Sequence, residues 1–507
     1  MTTEKLKHSE LTCLRGGTIV TFDDSDRIVE GGELWFRDGK IISIGHQGEY
    51  MPPEGPVEYI DATGQLIVPG MINAHTHSYS SLLKGTVEKD PLDIYMLSVI
   101  ATGAAMTPRE TYIAAQLDAL SMLRTGTTAA IDHYSERPAL SAEGLQAVCS
   151  AFDDIGIRAT VATMFSDKPY IETIPIARSS LPPEIIEKYD AQPTPDAGAY
   201  FDIMESAVNS ASPDERIRVI LGVDGPQRCS RRLLEMTGNF QRRHHCGLHT
   251  HMLETKTQAA MRPPGGPGLI RQMVDLGILN EKSSLVHFVW ADDEDINAAR
   301  EAGVTVIHCP ASNTMLGAGL SPILQLRTAG IPIAFGTDGS NCGPPSLFET
   351  MRLGAYLMRL TEPDFERWPE ARVILKEAYR SGARAIGKPE EIGFLAPGTI
   401  ADFTVLKPLD HWHLPMGDVY RHLFYYEDGS SVQDVWVGGQ RVVASARIMT
   451  VDEEALIAEA QEIVARRREN IPEAALSAIA AQYPAFREMI LQTLGSDIGI
   501  ERRFSFD

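Results

Sequence analysis

The sequence predicts an α/β protein: a (β/α)8 barrel of the TIM type, carried by a β-sandwich that both chain ends build and followed by a helical C-terminal tail. Three observations predict it. Eight continuously apolar runs alternate with helical patterns through the middle of the chain, and continuous rather than alternating apolarity marks strands buried on both faces, as in a parallel sheet covered by helices. Short strand-like segments with turn signals occur both before and after this region. Two helical stretches then follow.

Taken in order, Cys13 to Phe22, Ile28 to Phe36, Lys40 to Gly45 and Val57 to Ile60 read as strands, with Asp38-Gly39 as a hairpin turn. The barrel runs are Leu66 to Ile72, Thr127 to His133, Ile157 to Phe165, Ile217 to Val223, Cys246 to Met252, Leu285 to Trp290, Val304 to His308 and Ile331 to Phe335. Helical patterns separate them. Pro108 to Leu123 opens on proline and has Gly126 past its end, and Asp292 to Ala302 has an acidic first turn. The long proline-rich connection from 166 to 196 is a candidate lid over the barrel mouth. Ala401 to Leu406, Val419 to Tyr426, Val432 to Val437 and Arg441 to Ala444 return to strand grammar. Asp452 to Arg468 ends in three arginines, which suits a helix dipole, and Pro472 to Leu494 continues the helical pattern. The expected divisions are 1–66 and 393–449 for the two parts of the sandwich, 67–392 for the barrel and 450–507 for the tail, which packs either on a second subunit of a homodimer or higher homo-oligomer or on its own barrel.

Composition bounds the function. A chain of 507 residues has room for a large barrel and an accessory domain, and 43% hydrophobic with 22% charged residues is ordinary for a soluble protein. No apolar run approaches the roughly 20 residues of a membrane span. The polar opening residues and six scattered cysteines without a CxxC point to a cytoplasmic protein with free thiols, and against a cysteine-ligated zinc. A net charge of −22 weighs against nucleic acid and anionic membrane as partners, because both would be repelled.

A barrel of this class carries its chemistry at the C-terminal ends of its strands. Polar residues recur there: His75 and His77, Asp132-His133, Asp224, His249 through Glu254, His287, His308 and Thr337-Asp338. Side chains two apart on a strand point the same way, so His75 and His77 can aim at one point. An isolated pair of this kind is more often a hydrogen-bonded strand end. With His251 and Asp338 at the ends of the fifth and eighth strands, however, four nitrogen and oxygen ligands converge on one rim, which is the donor set of a divalent metal.

The motifs Pro69-Gly70-Met71-Ile72-Asn73-Ala74-His75-Thr76-His77, His251-Met252-Leu253-Glu254, His287, His308-Cys309-Pro310-Ala311-Ser312-Asn313 and Gly336-Thr337-Asp338-Gly339 together resemble the amidohydrolase superfamily. Within it the chain looks most like the branch of methylthioadenosine and S-adenosylhomocysteine deaminases, triazine hydrolases and related cytosine or guanine deaminases. The resemblance spans roughly Leu14 to Ala446. It implies one divalent metal, zinc or iron, on His75, His77, His251 and Asp338, with Asp338 also taking a proton from water. It further implies Glu254 as proton shuttle and His287 as the residue that orients water or substrate. A two-metal member would carry a bridging lysine at the end of the fourth strand, where this chain reads Val223-Asp224-Gly225-Pro226. Lys84 in the first βα loop, together with His133 and His308, are candidate substrate contacts, and the two histidines read equally well as satisfied rim residues. The implied reaction is hydrolytic deamination of an amino-substituted N-heterocycle of purine, pterin, pyrimidine or adenosyl type. The alternative is displacement of a halide, alkylamine or thioether from a triazine-type ring. Specificity is expected to lie in the loops, whose sequences carry no substrate signature.

Overall fold

A computed structural model of the protein describes residues 11–102, 106–210, 216–262, 268–407 and 415–503. Two nine-stranded sheets organise it. The first is built from both ends of the chain. Leu11–Val20 lies near its middle, flanked on one side by Ile28–Arg37 and Lys40–His46 and on the other by Leu66–Pro69, Phe403–Leu406, Val432–Val437, Gln440–Ala444 and Arg447–Ile448. Val57–Asp61 pairs in parallel with Leu11–Val20. The sandwich is this one sheet folded over: Phe36 of the early strands packs its ring 5.6 Å from Phe403 and 5.1 Å from Trp436 of the late ones. The Asp38-Gly39 turn, with both φ angles positive (51° and 77°), brings Gly39 against the Gly438 carbonyl, which a Cβ there would meet at 2.9 Å.

The second sheet is the barrel. Met71–His77, Thr127–Tyr134, Arg158–Phe165, Ile217–Val223, Leu248–Met252, Ser283–His287, Thr305–His308 and Ile333–Phe335 pair in parallel in sequence order. The eighth strand closes the ring in two pieces: Ile333–Phe335 pairs with the seventh strand, and Asp338–Gly339 pairs with the first, Asp338 opposite Thr76. Gly336 lies at the join, where a Cβ would sit 2.7 Å from that of His75. Asn73 locks the same seam, donating from Nδ2 to Thr337 Oγ1 at 2.8 Å and accepting the Thr337 N–H at 3.1 Å.

Three expectations are corrected. The first apolar run is shared between the sheets: Leu66–Pro69 belongs to the sandwich and Met71–His77 to the barrel. The handover therefore falls at Gly70, where a Cβ would meet Thr128 Oγ1 at 2.0 Å. Val419–Tyr425 is a helix rather than a strand. Its aromatic and β-branched residues read as β, but Asp418 caps its N-terminus by accepting the Arg421 N–H, and Tyr420, Leu423 and Phe424 fall on one buried helical face. The 166–196 segment is no open lid. It contains the helix Pro183–Asp190, and Tyr170, Ile171, Ile174, Ile185 and Tyr189 are buried with Phe486, Met489 and Ile490 of the last helix.

The tail docks on its own barrel. Glu453–Glu469 lies along Pro108–Arg124, with Glu459 paired to Arg109 at 2.7 Å, and Glu473–Gly495 crosses Leu92–Thr102. No described helix is long and apolar enough to cross a membrane.

One buried ion pair ties the two sheets together. Arg158, opening the third barrel strand, bonds Asp402 through Nε at 2.8 Å and Nη2 at 3.2 Å, and Asp402 also accepts the Gly438 N–H at 2.6 Å. Asp402→Ala leaves a buried guanidinium without its counter-charge and is expected to cost about 3–5 kcal/mol, read as a lower denaturation midpoint in urea.

Candidate metal centre and active site

Six histidines crowd the barrel mouth: His75, His77, His133, His249, His251 and His287. Four of them are turned by a bond on the outer ring nitrogen. His77 Nδ1 donates to the His133 carbonyl at 2.8 Å, His251 Nδ1 to the Asp224 carbonyl at 2.7 Å, and His287 Nδ1 to Asn313 Oδ1 at 2.9 Å. His75 Nδ1 lies 2.8 Å from His249 Nε2, whose own Nδ1 is 2.6 Å from Ser284 Oγ. A ring that donates from Nδ1 in its neutral form keeps its lone pair on Nε2.

Those inner nitrogens converge. His77 Nε2 and His251 Nε2 stand 3.3 Å apart, and Asp338 Oδ1 is 3.4 Å from His77 Nε2 and 3.5 Å from His75 Nε2. The buried Nε2 of His75 makes no hydrogen bond. Lone pairs and a carboxylate facing one another in a buried space repel until a cation sits among them, so the donor set fits a divalent metal. The ligand atoms of His75, His77 and His251, and those of His75, His287 and Asp338, each lie within 4.8 Å of one another.

Burial holds His75 well below its ordinary pKa and His77 down at about 4, so both rings are neutral, as ligands must be. Burial opposes ionisation of Asp338, but the nearby His75 ring, 3.5 Å away, and the His287 and His77 rings hold it well below the carboxylate range. Burial raises Glu254, and its Oε2 lies 3.7 Å from His287 Nε2. Leu253, His287 and Asp338 all take positive φ (49°, 71° and 62°), an unfavourable backbone that clusters at these strand ends where side chains are aimed inward.

His77, His251, Glu254, His287 and Asp338 form the floor of a cavity of about 540 Å³. The three candidate substrate contacts lie outside its lining. Lys84 Nζ turns away to Ser121 Oγ at 3.4 Å on the surface. His133 is sealed below the floor, its ring 4.5 Å from that of His251 and both nitrogens without a hydrogen bond. His308 packs against Phe335 behind the seventh strand's end. His249, one period before His251, supports His75 from beneath.

Asp224 was already visible at the end of the fourth run, whereas Arg228, Tyr170, Asp93 and Thr257 were not singled out by sequence reasoning. Asp224 occupies the fourth-strand position where a two-metal site would need lysine, and there it pairs with Arg228 Nη1 at 2.7 Å. The Arg228 guanidinium lies 4.8 Å from the centroid of the Tyr170 ring. The Tyr170 hydroxyl donates to Asp93 Oδ1 at 2.7 Å, and Thr257, three residues past Glu254, donates to Asp93 Oδ2 at 2.9 Å. A buried carboxylate from the first loop thus holds the 166–196 segment to the turn that carries Glu254. Asn313 belongs to a motif already visible in the sequence, and the other contacts carry no local signal.

A closed parallel barrel whose rim gathers three imidazole nitrogens and a carboxylate around a cation-sized gap is the architecture of a metal-dependent hydrolase. The chain belongs to the amidohydrolase family, whose sequence profile matches residues 66–442. It is 29% identical over 460 residues to a 5'-deoxyadenosine deaminase of Methanosarcina mazei, covering 89% of this chain and 98% of that protein. It is 27% identical over 469 residues to a 5-methylthioadenosine/S-adenosylhomocysteine deaminase of Syntrophus aciditrophicus, covering 91% and 98%. In fold it matches the zinc-bound crystal structure of an adenosine deaminase from Xanthomonas campestris (TM-score 0.79, 23% identity, 91% of this chain and 99% of that one). It also matches an atrazine chlorohydrolase of Arthrobacter aurescens complexed with zinc (TM-score 0.78, 24% identity, 89% and 100%). The chain is an enzyme that acts on C–N bonds with a divalent metal.

Because His249 fixes the His75 ring, His249→Leu is expected to weaken zinc affinity about 10–100-fold while leaving the fold in place. Chelator competition measures it.

Proposed function

We propose that this enzyme hydrolytically deaminates an amino-substituted N-heterocycle of adenosine type and releases ammonia. The observation that carries the reading is Glu254: a buried carboxyl with a raised pKa, set beside the converging ligands and 3.7 Å from His287. The relatives in sequence, named as deaminases of adenosyl compounds, support the substrate class.

His75, His77, His251 and Asp338 are the proposed ligands of one divalent ion. Three imidazoles and a carboxylate suit zinc first and iron second. Such an ion acts as a Lewis acid and brings the ionisation of water toward neutral pH. Asp338 accepts the proton that water loses and passes it to the departing amine, which leaves as ammonia. Glu254 carries a proton on Oε2 to the ring nitrogen beside the carbon that loses its amine. Asn313 holds the His287 ring so that Nε2 faces Glu254 and Asp338, placing it against the polar centre that forms on that carbon. The surrounding burial excludes bulk water.

An amine leaves only after gaining a proton, whereas chloride needs none, so a poised carboxyl favours deamination over the triazine-type displacement that the same floor could also perform. Ammonia and chloride release measured in parallel across adenosyl compounds, purines, pterins, pyrimidines and chlorotriazines decides between them. Ammonia from none of the amino compounds would sink the proposal. Purified protein should hold about one equivalent of zinc or iron per chain, lost in Asp338→Asn. Glu254→Gln should keep the metal and lose about 10²–10⁴-fold in ammonia release.

The proposal extends to a cytoplasmic homo-oligomer. Leu476, Tyr483 and Leu491 expose apolar side chains along the last helix, a spacing that places them on one face. Light scattering at a single-chain mass of 55.6 kDa would refute this part.

A further inference from the structure

The carboxyl of Glu254, which the proposed reaction uses to move a proton, faces His287 Nε2 at 3.7 Å and makes no hydrogen bond to any of the described residues. Its place is therefore set by the backbone that carries it, the turn from Glu254 to Gln258. There the Glu254 N–H donates to Gln258 Oε1 at 2.9 Å, and the Gln258 N–H donates to Thr255 Oγ1 at 3.3 Å. Thr255 Oγ1 lies 2.7 Å from Thr257 Oγ1, and Thr257 donates to Asp93 Oδ2 at 2.9 Å. A hydroxyl has one proton to give, so Thr257, which gives its own to Asp93, accepts from Thr255. The bonds of the turn thus run one way, from backbone to Asp93, and an ionised carboxylate, which only accepts, fixes that direction.

Asp93 is 4% exposed, and its partners are the hydroxyls of Thr257 and Tyr170 rather than cations. The guanidinium of Arg228 turns instead to Asp224, at 2.7 Å, and to the face of the Tyr170 ring. Burial raises the Asp93 pKa, and the two hydroxyl bonds and the charge of Arg228 work against the rise. A buried carboxyl without a counter-charge in contact is costly to a fold, and an apolar residue would fill the same space at less cost. Its position supplies a reason to keep it. Asp93 stands on Leu92–Thr102, a helix whose Leu92, Tyr95 and Met96 form part of the cavity wall, as Arg466, Arg467 and Arg468 in the last turn of Glu453–Glu469 form another. One carboxyl therefore joins the wall, the 166–196 segment and the turn that carries Glu254.

We infer that Asp93 is a positioning residue for Glu254: it holds the 254–258 turn against the wall helix so that the Glu254 carboxyl stands where the proton is delivered. The inference rests on the deaminase reading for the step that Glu254 serves. Asp93 lies behind the cavity lining and touches none of the proposed metal ligands, so it acts through Glu254. A proton carrier displaced by about 1 Å loses on the order of 10²-fold in rate, whereas binding of the ring against the wall does not depend on that carrier.

The test uses the intact metal-loaded enzyme with adenosine and 5'-deoxyadenosine. Asp93→Asn keeps the shape but turns one of two acceptor oxygens into a donor, and Thr257→Val removes a single hydroxyl. Each should lower kcat about 10–100-fold, with KM within about twofold and the metal retained. In the Glu254→Gln background the same substitutions should lower kcat by less than about twofold more, because the carboxyl they misplace is already gone. Backbone amides of residues 254 to 258 should exchange hydrogen about tenfold faster in Thr257→Val than in the wild type. Losses that multiply with that of Glu254→Gln overturn the inference, as does an unchanged kcat in both variants or unchanged exchange over the turn. Release of ammonia from no amino compound would remove the deaminase reading alone, and the exchange measurement would still decide whether Asp93 holds the turn.

Discussion

Everything at the barrel mouth depends on one electrostatic constraint: three imidazole lone pairs and an ionised carboxylate are held face to face where water is scarce. His77 and His251 present Nε2 to each other at 3.3 Å because each gives its Nδ1 proton to a backbone carbonyl and has nowhere else to turn. The fold bears that repulsion only by fixing every ring from behind, through carbonyls, Asn313, His249 and Ser284. A cation converts the repulsion into cohesion. Because the partners come from residues 174 apart in sequence, that cation also closes long loops, so occupancy and stability are linked.

The same constraint explains where the backbone is forced. Gly336 lets the eighth strand touch His75 as the barrel closes, and Asn73 locks the seam from the first strand. Leu253, His287 and Asp338 are bent into positive φ where the strands end. Relaxing any of these would swing a ligand or proton carrier away from the centre. The sheets are coupled to this rim because Leu66–Pro69 and Met71–His77 are one continuous length of chain, so the sandwich sets the height at which His75 and His77 emerge.

Much of this was legible in the sequence, since a strand buried on both faces leaves a continuous apolar run and a barrel puts its chemistry at the end of each run. The eight runs, the HxH pair, His251 and Asp338 were read from that rule, and Glu254 was singled out through the family resemblance. What failed to follow was decided by tertiary contact. Val419–Tyr425 carries strand-like residues, yet becomes a helix through its Asp418 cap and one buried face. The proline-rich stretch between 166 and 196 read as a long connection and candidate lid, although the apolar residues in it are buried under a helix about 300 residues away in sequence. Lys84 follows the HxH pair closely, but the turn that starts at Ser78 carries it outward, and His133 is on its strand's end yet beneath the floor. Asp93, Tyr170 and Thr257 come from three separate loops, a meeting no local pattern announces. The three arginines closing Glu453–Glu469 were accounted for by the helix dipole, which hid their place in the cavity.

That place has a consequence in time. The ligands and the barrel that carries them are all made before residue 386, whereas one part of the cavity's wall is supplied by residues 464 to 472, which emerge from the ribosome only after both sheets have been synthesised. During synthesis the reactive floor therefore stands as an open bowl. Only when the tail hairpin wraps back onto Pro108–Arg124 does the bowl become a pocket able to choose among ligands, so maturation of selectivity trails assembly of the chemistry.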